Sequence, residues 1–450
     1  MLIFLRRVTL KNWLAHQRKS FTTWLIFGLG VKRWLLLILL GIFAIATAIA
    51  DIIASTISIQ RLSSLPAGIE FFLVAGLIGL GTGMVGIGLS HLTKNFLAPY
   101  RTNQQGRVID AVYAHTKRQK GLKIVAIGGG TGLPSVLRGL KPFTSNITAI
   151  VTVADDGGSS GRLRRELGVL PPGDLRNNIA ALADDENLMT HLFQYRFASG
   201  DLGGHAFGNL FISALAGVTG SIETALVETA RVLNIQGRVL PATLEDVNLV
   251  ADVRLPGENQ PITVYGESQI SDAGGYIEEL RLSPTNIAAY NESVEAILAA
   301  DLIVIGPGSL FTSILPNLLV QDIAEALRAT RAYTVYVCNV ATQPGETEGF
   351  TVAEHVLALE KHVGRGVFKA TLANNVYPIL NAGDNTHYVP PAPEHHEILQ
   401  RYEIRYTDLT DSERPWRHDP QKLAGAIIQL ATEERSGLAV SRKTVSEIMV

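Results

Sequence analysis

Lys123-Ile124-Val125-Ala126-Ile127-Gly128-Gly129-Gly130-Thr131-Gly132-Leu133-Pro134 decides the reading of this chain. A short apolar run predicts a buried parallel strand, and Pro134 near the start of the next apolar pattern predicts a helix opening there. Strand, glycine turn and helix in that order build a phosphate site. Glycines admit an anion close to the backbone, and the helix N-terminus offers free N–H groups and the positive end of its dipole. The spacing fits no standard motif in full. Gly128, Gly130 and Gly132 give G-x-G-x-G, but Leu133 stands where the dinucleotide fingerprint needs glycine. No G-x-x-x-x-G-K-[ST] occurs, which argues against a P-loop NTPase. Taken alone, the turn is as readily a tight structural turn as a phosphate cradle.

The residues downstream extend the pattern. Thr148 to Ala154 is a second strand-like run, and it ends in Asp155-Asp156-Gly157-Gly158-Ser159-Ser160-Gly161-Arg162. Carboxylates at the C-terminal end of a buried strand lie where open α/β sheets bind ligands. Asp155 and Asp156 are candidates for holding a divalent metal, bonding ribose hydroxyls or orienting a nucleophile; either could instead cap the following helix. Gly157, Gly158 and Ser159 form a second candidate anion nest. Arg162, Arg164 and Arg165 could steer an anion, although Arg164 and Arg165 suit a solvated helix face equally well. In Pro171-Pro172-Gly173-Asp174-Leu175-Arg176-Asn177, Asp174 is expected to cap a helix. Gly204, His205 and Asn209 stand just before the apolar run Leu210 to Ala216. Asp301 to Ile305 runs into Gly306-Pro307-Gly308-Ser309, a second strand-to-glycine-loop unit. Tyr333 to Val337 runs into Cys338-Asn339 and the polar stretch Thr342 to Thr347. Five polar loops at strand ends are a stronger signal than any one of them.

GGGTG (128–132), VTVADDGGSSGRLRREL (151–167), PPGDLRNNIAAL (171–182), GHAFGNL (204–210), ADLIVIGPGSLFTSILPNLLV (300–320) and CNVATQPGETEGFT (338–351) closely resemble the YvcK-like proteins. These are often labelled gluconeogenesis factors and belong to the wider CofD-like (UPF0052) family. The resemblance covers roughly residues 121 to 450. It implies an α/β fold, a Rossmann-like doubly wound and mostly parallel sheet. It also implies binding of a nucleotide sugar, UDP-N-acetylglucosamine, and a regulatory role in cell shape, cell-wall homeostasis and carbon metabolism. The enzymatic branch of the family instead transfers 2-phospho-L-lactate from a guanosine diphosphate donor to a deazaflavin. Its residues after the paired aspartates differ from Gly157 to Gly161 here, so turnover is not the expectation. The ligand-binding set implied is Gly129, Gly130, Thr131, Gly132, Asp155, Asp156, Gly157, Gly158, Ser159, Asn177, Gly204, His205, Asn209, Gly306, Gly308, Ser309, Asn339, Tyr388 and Arg417. Tyr388 would stack on the base, and Arg417, within Trp416-Arg417-His418-Asp419-Pro420, would grip the diphosphate. No cofactor is expected beyond magnesium at Asp155 and Asp156.

The N-terminal part departs from that pattern. Trp34 to Ala54 and Phe71 to Ser90 are each long and apolar enough to cross a bilayer. Seven Lys or Arg residues and no acidic residue precede the first span, and Lys94, Arg101, Arg107, Lys117, Arg118 and Lys120 follow the second. The positive-inside rule then predicts an inner-membrane hairpin with both termini and the soluble domain in the cytoplasm. The organisation expected is a basic leader (1–33) at the membrane surface, the hairpin (34–94), a linker (95–121) and the binding domain (122–450). Gly79 and Gly83 stand in G-x-x-x-G spacing and predict packing of the second span against the first or against another copy, hence a homo-oligomer. The basic flanks suit anionic lipids. A net charge of −2 over the chain carries no nucleic-acid signature. One cysteine, Cys338, excludes an intrachain disulfide, and no Cys/His zinc pattern occurs. Residues 254 to 282 are expected to be an inserted β element with a strand over Ile262 to Tyr265.

Overall fold

The computed structural model describes residues 31–56, 67–97, 117–183, 188–379 and 387–448. The chain divides into two compact units, Met1–Val112 and Tyr113–Val450. In the first unit, helices α1 (Val31–Thr56) and α2 (Ala67–Leu97) pack against each other. Their apolar stretches, Arg33–Ile53 and Phe71–Leu92, have the length and composition to cross a membrane. Large apolar side chains such as Leu39, Phe43, Phe72 and Leu80 face outward. The contact between the helices is made by glycines, but not by the pair the spacing singled out. Gly41 and Gly81 bring each helix against the other's backbone, Gly88 sits against Ile38, and Trp34 stacks on His91 with ring centroids 3.9 Å apart. Gly79 and Gly83 have open space around them. The reason is helical phase: they point away from the stripe that carries Gly81 and Gly88. The basic leader falls, apart from residues 31–33, outside the described residues.

The second unit is built on a seven-stranded sheet of order β10-β9-β8-β7-β1-β2-β3, parallel throughout. Strands β1 (Ile124–Gly128), β2 (Ile147–Val151) and β3 (Arg238–Pro241) step outward in one direction. The chain then returns to place β7 (Leu302–Ile305) against the other side of β1. It continues outward through β8 (Tyr333–Val337), β9 (Ala370–Asn374) and β10 (Glu403–Thr407). This is the doubly wound order, with its switch point between β1 and β7, and it bears out the Rossmann-like reading. The central strands are continuous apolar runs because helices cover both faces; every residue of β1, β2, β7 and β9 is buried.

Helix α3 (Gly132–Leu140) buries Leu133, Val136, Leu137 and Leu140, the i, i+3, i+4 and i+7 stripe of a core-facing helix. The long last helix (Pro420–Ile448) packs on it where Gly139 meets Pro420 and Ala424. Between lie α4 (Gly158–Leu167), α5 (Pro172–Leu182), α6 (Leu188–Gln194), α7 (Phe207–Thr219) and α8 (Ile222–Val232). The crossover from β3 to β7 carries the inserted element. It is a three-stranded antiparallel sheet, β5-β4-β6, formed by β4 (Asn248–Arg254), β5 (Ile262–Tyr265) and β6 (Tyr276–Ser283), with the short helix α9 (Glu267–Asp272) between β5 and β6.

The switch point leaves no space between the β1 and β7 loops. A Cβ on Gly132 would fall on the Pro307 carbonyl and within 2.9 Å of the Gly308 Cα. Gly132→Ala is therefore expected to lower the stability of this unit by about 1–3 kcal/mol. Denaturant titration of the full chain checks this, and a change under about 0.5 kcal/mol would mean that the loops are not locked together.

Candidate functional site

The crevice lies where the β1 and β7 loops part from their strands. Gly130 adopts φ +59°, a conformation glycine reaches without strain, and this turns its N–H onto Asp174 Oδ2 at 2.7 Å. The Gly308 N–H donates to Asn339 Oδ1 at 3.2 Å, and Asn339 Nδ2 returns to the Gly308 carbonyl at 2.8 Å, tying the β7 and β8 loops together. Neither Thr131 before α3 nor Ser309 before the π-turn Leu310–Ile314 places a side chain on its helix start. At the second start the Phe311 N–H is taken by Glu346 Oε2 at 3.3 Å, which leaves the α3 start as the open one. Both starts border a cavity of about 340 Å³ whose wall includes Thr131, Ser135, Asn339, Gln343, Trp416 and Arg417. Arg417 is exposed and forms no ion pair among the described residues. His418 Nε2 donates to the Cys338 carbonyl at 3.2 Å, and burial lowers its pKa to about 4, so the ring is neutral.

Carboxylates occupy the adjoining side, at the end of β2. Asp155 Oδ1 accepts the Gly157 N–H at 2.9 Å, and burial raises the Asp155 pKa against that bond. Asp156 Oδ1 accepts both the N–H and the hydroxyl of Ser268, at 3.0 and 2.7 Å. Asp174 does not cap α5. The cap position is Pro171, and the Asp174 carboxylate reaches across to the β1 loop instead, because Gly130 offers a buried N–H with no other acceptor. Burial raises the Asp174 pKa to about 6, with Asp155 adding and the Gly130 bond opposing. Glu267, at the start of α9, is pushed to about 8 by burial and then by Asp155, Asp156 and Asp174. It is therefore largely protonated at neutral pH. Glu346 is buried and saturated with donors: the hydroxyls of Ser309, Thr312 and Ser271, Gln343 Nε2 and the Phe311 N–H. Among the described residues no group of three or more His, Cys, Asp or Glu side chains is placed to hold a metal ion.

Of the expected ligand-binding residues, Thr131, Gly132, Gly308, Ser309, Asn339 and Arg417 line this cavity. Gly129 and Gly130 sit beside the carboxylates, and Gly306 supports the β7 loop at φ +78°. A different group gathers at the start of α4. Ser159 Oγ lies 3.0 Å from His205 Nδ1 and accepts Asn209 Nδ2 at 3.0 Å, all three buried. Gly157 and Gly158 begin that helix, Gly204 precedes His205, and Asn177 Oδ1 accepts Arg176 Nη2 at 2.6 Å. Tyr388 is not among the residues lining the cavity. It bridges to Ala341, packs edge-on to Tyr377 at 5.6 Å, and buries its hydroxyl without a partner. Trp416, named only as a neighbour of Arg417, stands in the wall instead. Glu267, Glu346 and Arg176 were missed. A lone Glu after the Gly266 turn carries no local signal, whereas Glu346 lies within the TQPGETEG run already marked.

The sequence profile of the CofD family, described as 2-phospho-L-lactate transferase CofD, matches residues 124–421. A protein from Nostoc sp. bearing the gluconeogenesis-factor name is 43% identical over 431 residues, 92% of this chain and 93% of that protein. The gluconeogenesis factor of Bacillus subtilis is 51% identical over 254 residues, 56% of this chain and 78% of its own length. A crystal structure of a UPF0052 family member from Bacillus halodurans superposes with a TM-score of 0.64 at 42% identity, covering 68% of this chain and 99% of that one. The likeness to the Nostoc protein thus extends into the first unit, whereas the crystallised relative is spanned by about two thirds of this chain.

Glu267 gives a pH test. A carboxyl whose folded pKa is raised binds more protons folded than unfolded between its two pKa values, so it withdraws stability as pH rises from about 4.5 to about 8. Glu267→Gln removes that loss. Its thermal midpoint, relative to the parent chain, is expected to climb between pH 5 and 8 and level off above. A pH-independent difference would show that Glu267 titrates normally.

Proposed function

The chain belongs to the CofD family, and from its crevice we propose that it is a nucleotide-sugar-binding regulatory protein whose ligand is UDP-N-acetylglucosamine. The observation that carries this is the switch point itself: two glycine loops pressed together, the uncapped start of α3, and an unpaired arginine round one cavity. Backbone N–H groups at a helix start and a guanidinium fork suit a diphosphate, and Trp416 offers an aromatic face for a base. The names of the relatives support a part in carbon metabolism, and we extend this to cell-shape and cell-wall homeostasis through the precursor bound. The two apolar helices of the first unit support an anchored protein, with lipid as its second partner. The basic flanks favour the inner membrane with both termini and the crevice domain in the cytoplasm. Small-residue faces on α2 favour a homo-oligomer.

A second reading is a transferase of the CofD type, moving 2-phospho-L-lactate from a guanosine diphosphate donor to a deazaflavin. It is favoured by the carboxylates Asp155, Asp156, Asp174 and Glu267 beside the glycine loop; burial raises the pKa values of Asp155, Asp174 and Glu267. Asp155 and Asp156 could share a magnesium ion with ligand phosphates, since magnesium is commonly held by one or two carboxylates plus substrate oxygens.

Calorimetric titration of the full chain in detergent with UDP-N-acetylglucosamine, UDP and GDP, with and without magnesium, separates the readings. The regulatory reading expects saturable, selective binding of the UDP-sugar without its consumption, weakened about tenfold or more by Arg417→Ala. Preference for GDP with magnesium dependence would transfer the assignment to the second reading. Membrane association has its own check. The full chain is expected to stay with the membrane pellet at alkaline pH and high salt, and release into the supernatant would remove the anchor.

A further inference from the structure

Three arginines meet round the loop 203–209, away from the cavity at the switch point. Arg162 Nη2 donates to the Gly203 carbonyl at 2.8 Å, and Arg196 Nη1 donates to the next carbonyl, that of Gly204, at 2.6 Å. Arg176 runs beside Gly208, where an added Cβ would lie 2.9 Å from its Cγ and Cδ. None of the three forms an ion pair among the described residues. Arg162 and Arg196 each use one of several N–H groups on a carbonyl oxygen, which leaves the rest of each fork free.

Arg176 is the anomaly. It is 8% exposed, its Nη2 reaches only the neutral Asn177 amide, and its Nε has no partner. A buried guanidinium without a counter-charge is strongly unfavourable. The nearest carboxylates do not supply one. Asp174 is bonded to Gly130, Asp155 to Gly157, and neither forms an ion pair with Arg176. Arg196 makes matters worse: after burial, its charge is the next influence lowering the basicity of Arg176. Asp174 and Asp155 favour the Arg176 charge only through space and rank after Arg196, so the unpaired N–H groups of the cluster mark a place that an anion completes. The surroundings agree. After burial, Arg162 is the main influence lowering the His205 pKa, with Glu166 opposing it and Arg196 adding to it.

We propose that Arg162, Arg176, Arg196 and Asn177 form a second anion site that takes the phosphate or phosphomonoester group of a ligand distinct from the one at the β1/β7 switch point. The two sites are separate in that none of these four residues lines the cavity at the switch point. This site does not depend on the nucleotide-sugar assignment. It gives the crevice two anion-binding ends.

Inorganic phosphate is the probe, titrated calorimetrically into the full chain in detergent. Saturable binding in the low-millimolar range or tighter is expected. Arg196→Gln, an exposed substitution that should leave the fold intact, and Arg176→Gln are each expected to weaken it about tenfold, with partial recovery in Arg196→Lys. Arg417→Ala should change phosphate affinity by no more than about twofold, while Arg196→Gln should leave UDP-N-acetylglucosamine affinity equally unaffected. Absence of saturable phosphate binding would overturn the proposal. So would phosphate binding that Arg417→Ala abolishes and Arg196→Gln leaves alone, since that ion would sit at the switch point. If Arg176→Gln fails to fold, the Arg196 pair decides.

Discussion

The contact between Gly132 and the Pro307 carbonyl sets the geometry of the whole crevice. β1 and β7 are neighbours in the sheet, yet the chain leaves them toward opposite faces, so their loops would ordinarily diverge around bulky side chains. Glycine at 132 lets the backbones touch, and the Asn339 side chain then fastens the β7 loop to the β8 loop. Two helix starts are thereby held side by side, that of α3 without a side-chain cap and the other with its Phe311 N–H on Glu346. Preorganisation of this kind lets backbone dipoles bind an anion with little ordering cost at the moment of binding.

How much of this was legible follows from locality. The parallel strands declare themselves because they are buried on both faces, so Ile124 to Ile127 and Leu302 to Ile305 are unbroken apolar runs. The glycine loops are legible for the same reason, since the turn chemistry sits in consecutive residues. Asp174 was misread because a local rule, carboxylate near a helix start means cap, competed with a distant donor forty-four residues upstream in the chain. Gly79 and Gly83 do not meet the first span because a four-residue spacing fixes a helix face but not which face meets the neighbouring helix. Glu267 was invisible. Its raised pKa is made by burial and then by Asp155, Asp156 and Asp174, which only the fold of the inserted sheet brings near it.

That inserted sheet gains its importance from position. Ser268 donates twice to Asp156, and Ser271 donates to Glu346, so α9 is fastened both to the end of β2 and to the β8 loop. The same short helix presents Glu267. An element that sequence alone marks as an appendage thus closes the acidic side of the crevice and holds it in register with the switch point.

Charge then alternates along the crevice: Arg417 at one end, the carboxylates Asp155, Asp174 and Glu267 in the middle, and Arg162, Arg176 and Arg196 beyond. The middle cannot carry full negative charge in so dry a place, and burial accordingly raises the pKa values of all three carboxyls. A protonated Glu267 is a hydrogen-bond donor facing an otherwise acceptor-rich wall. An anion at either end raises the cost of ionising the middle further, and a cation in the middle lowers it. Anion binding beside these carboxyls would therefore be linked to their protonation by the same electrostatics.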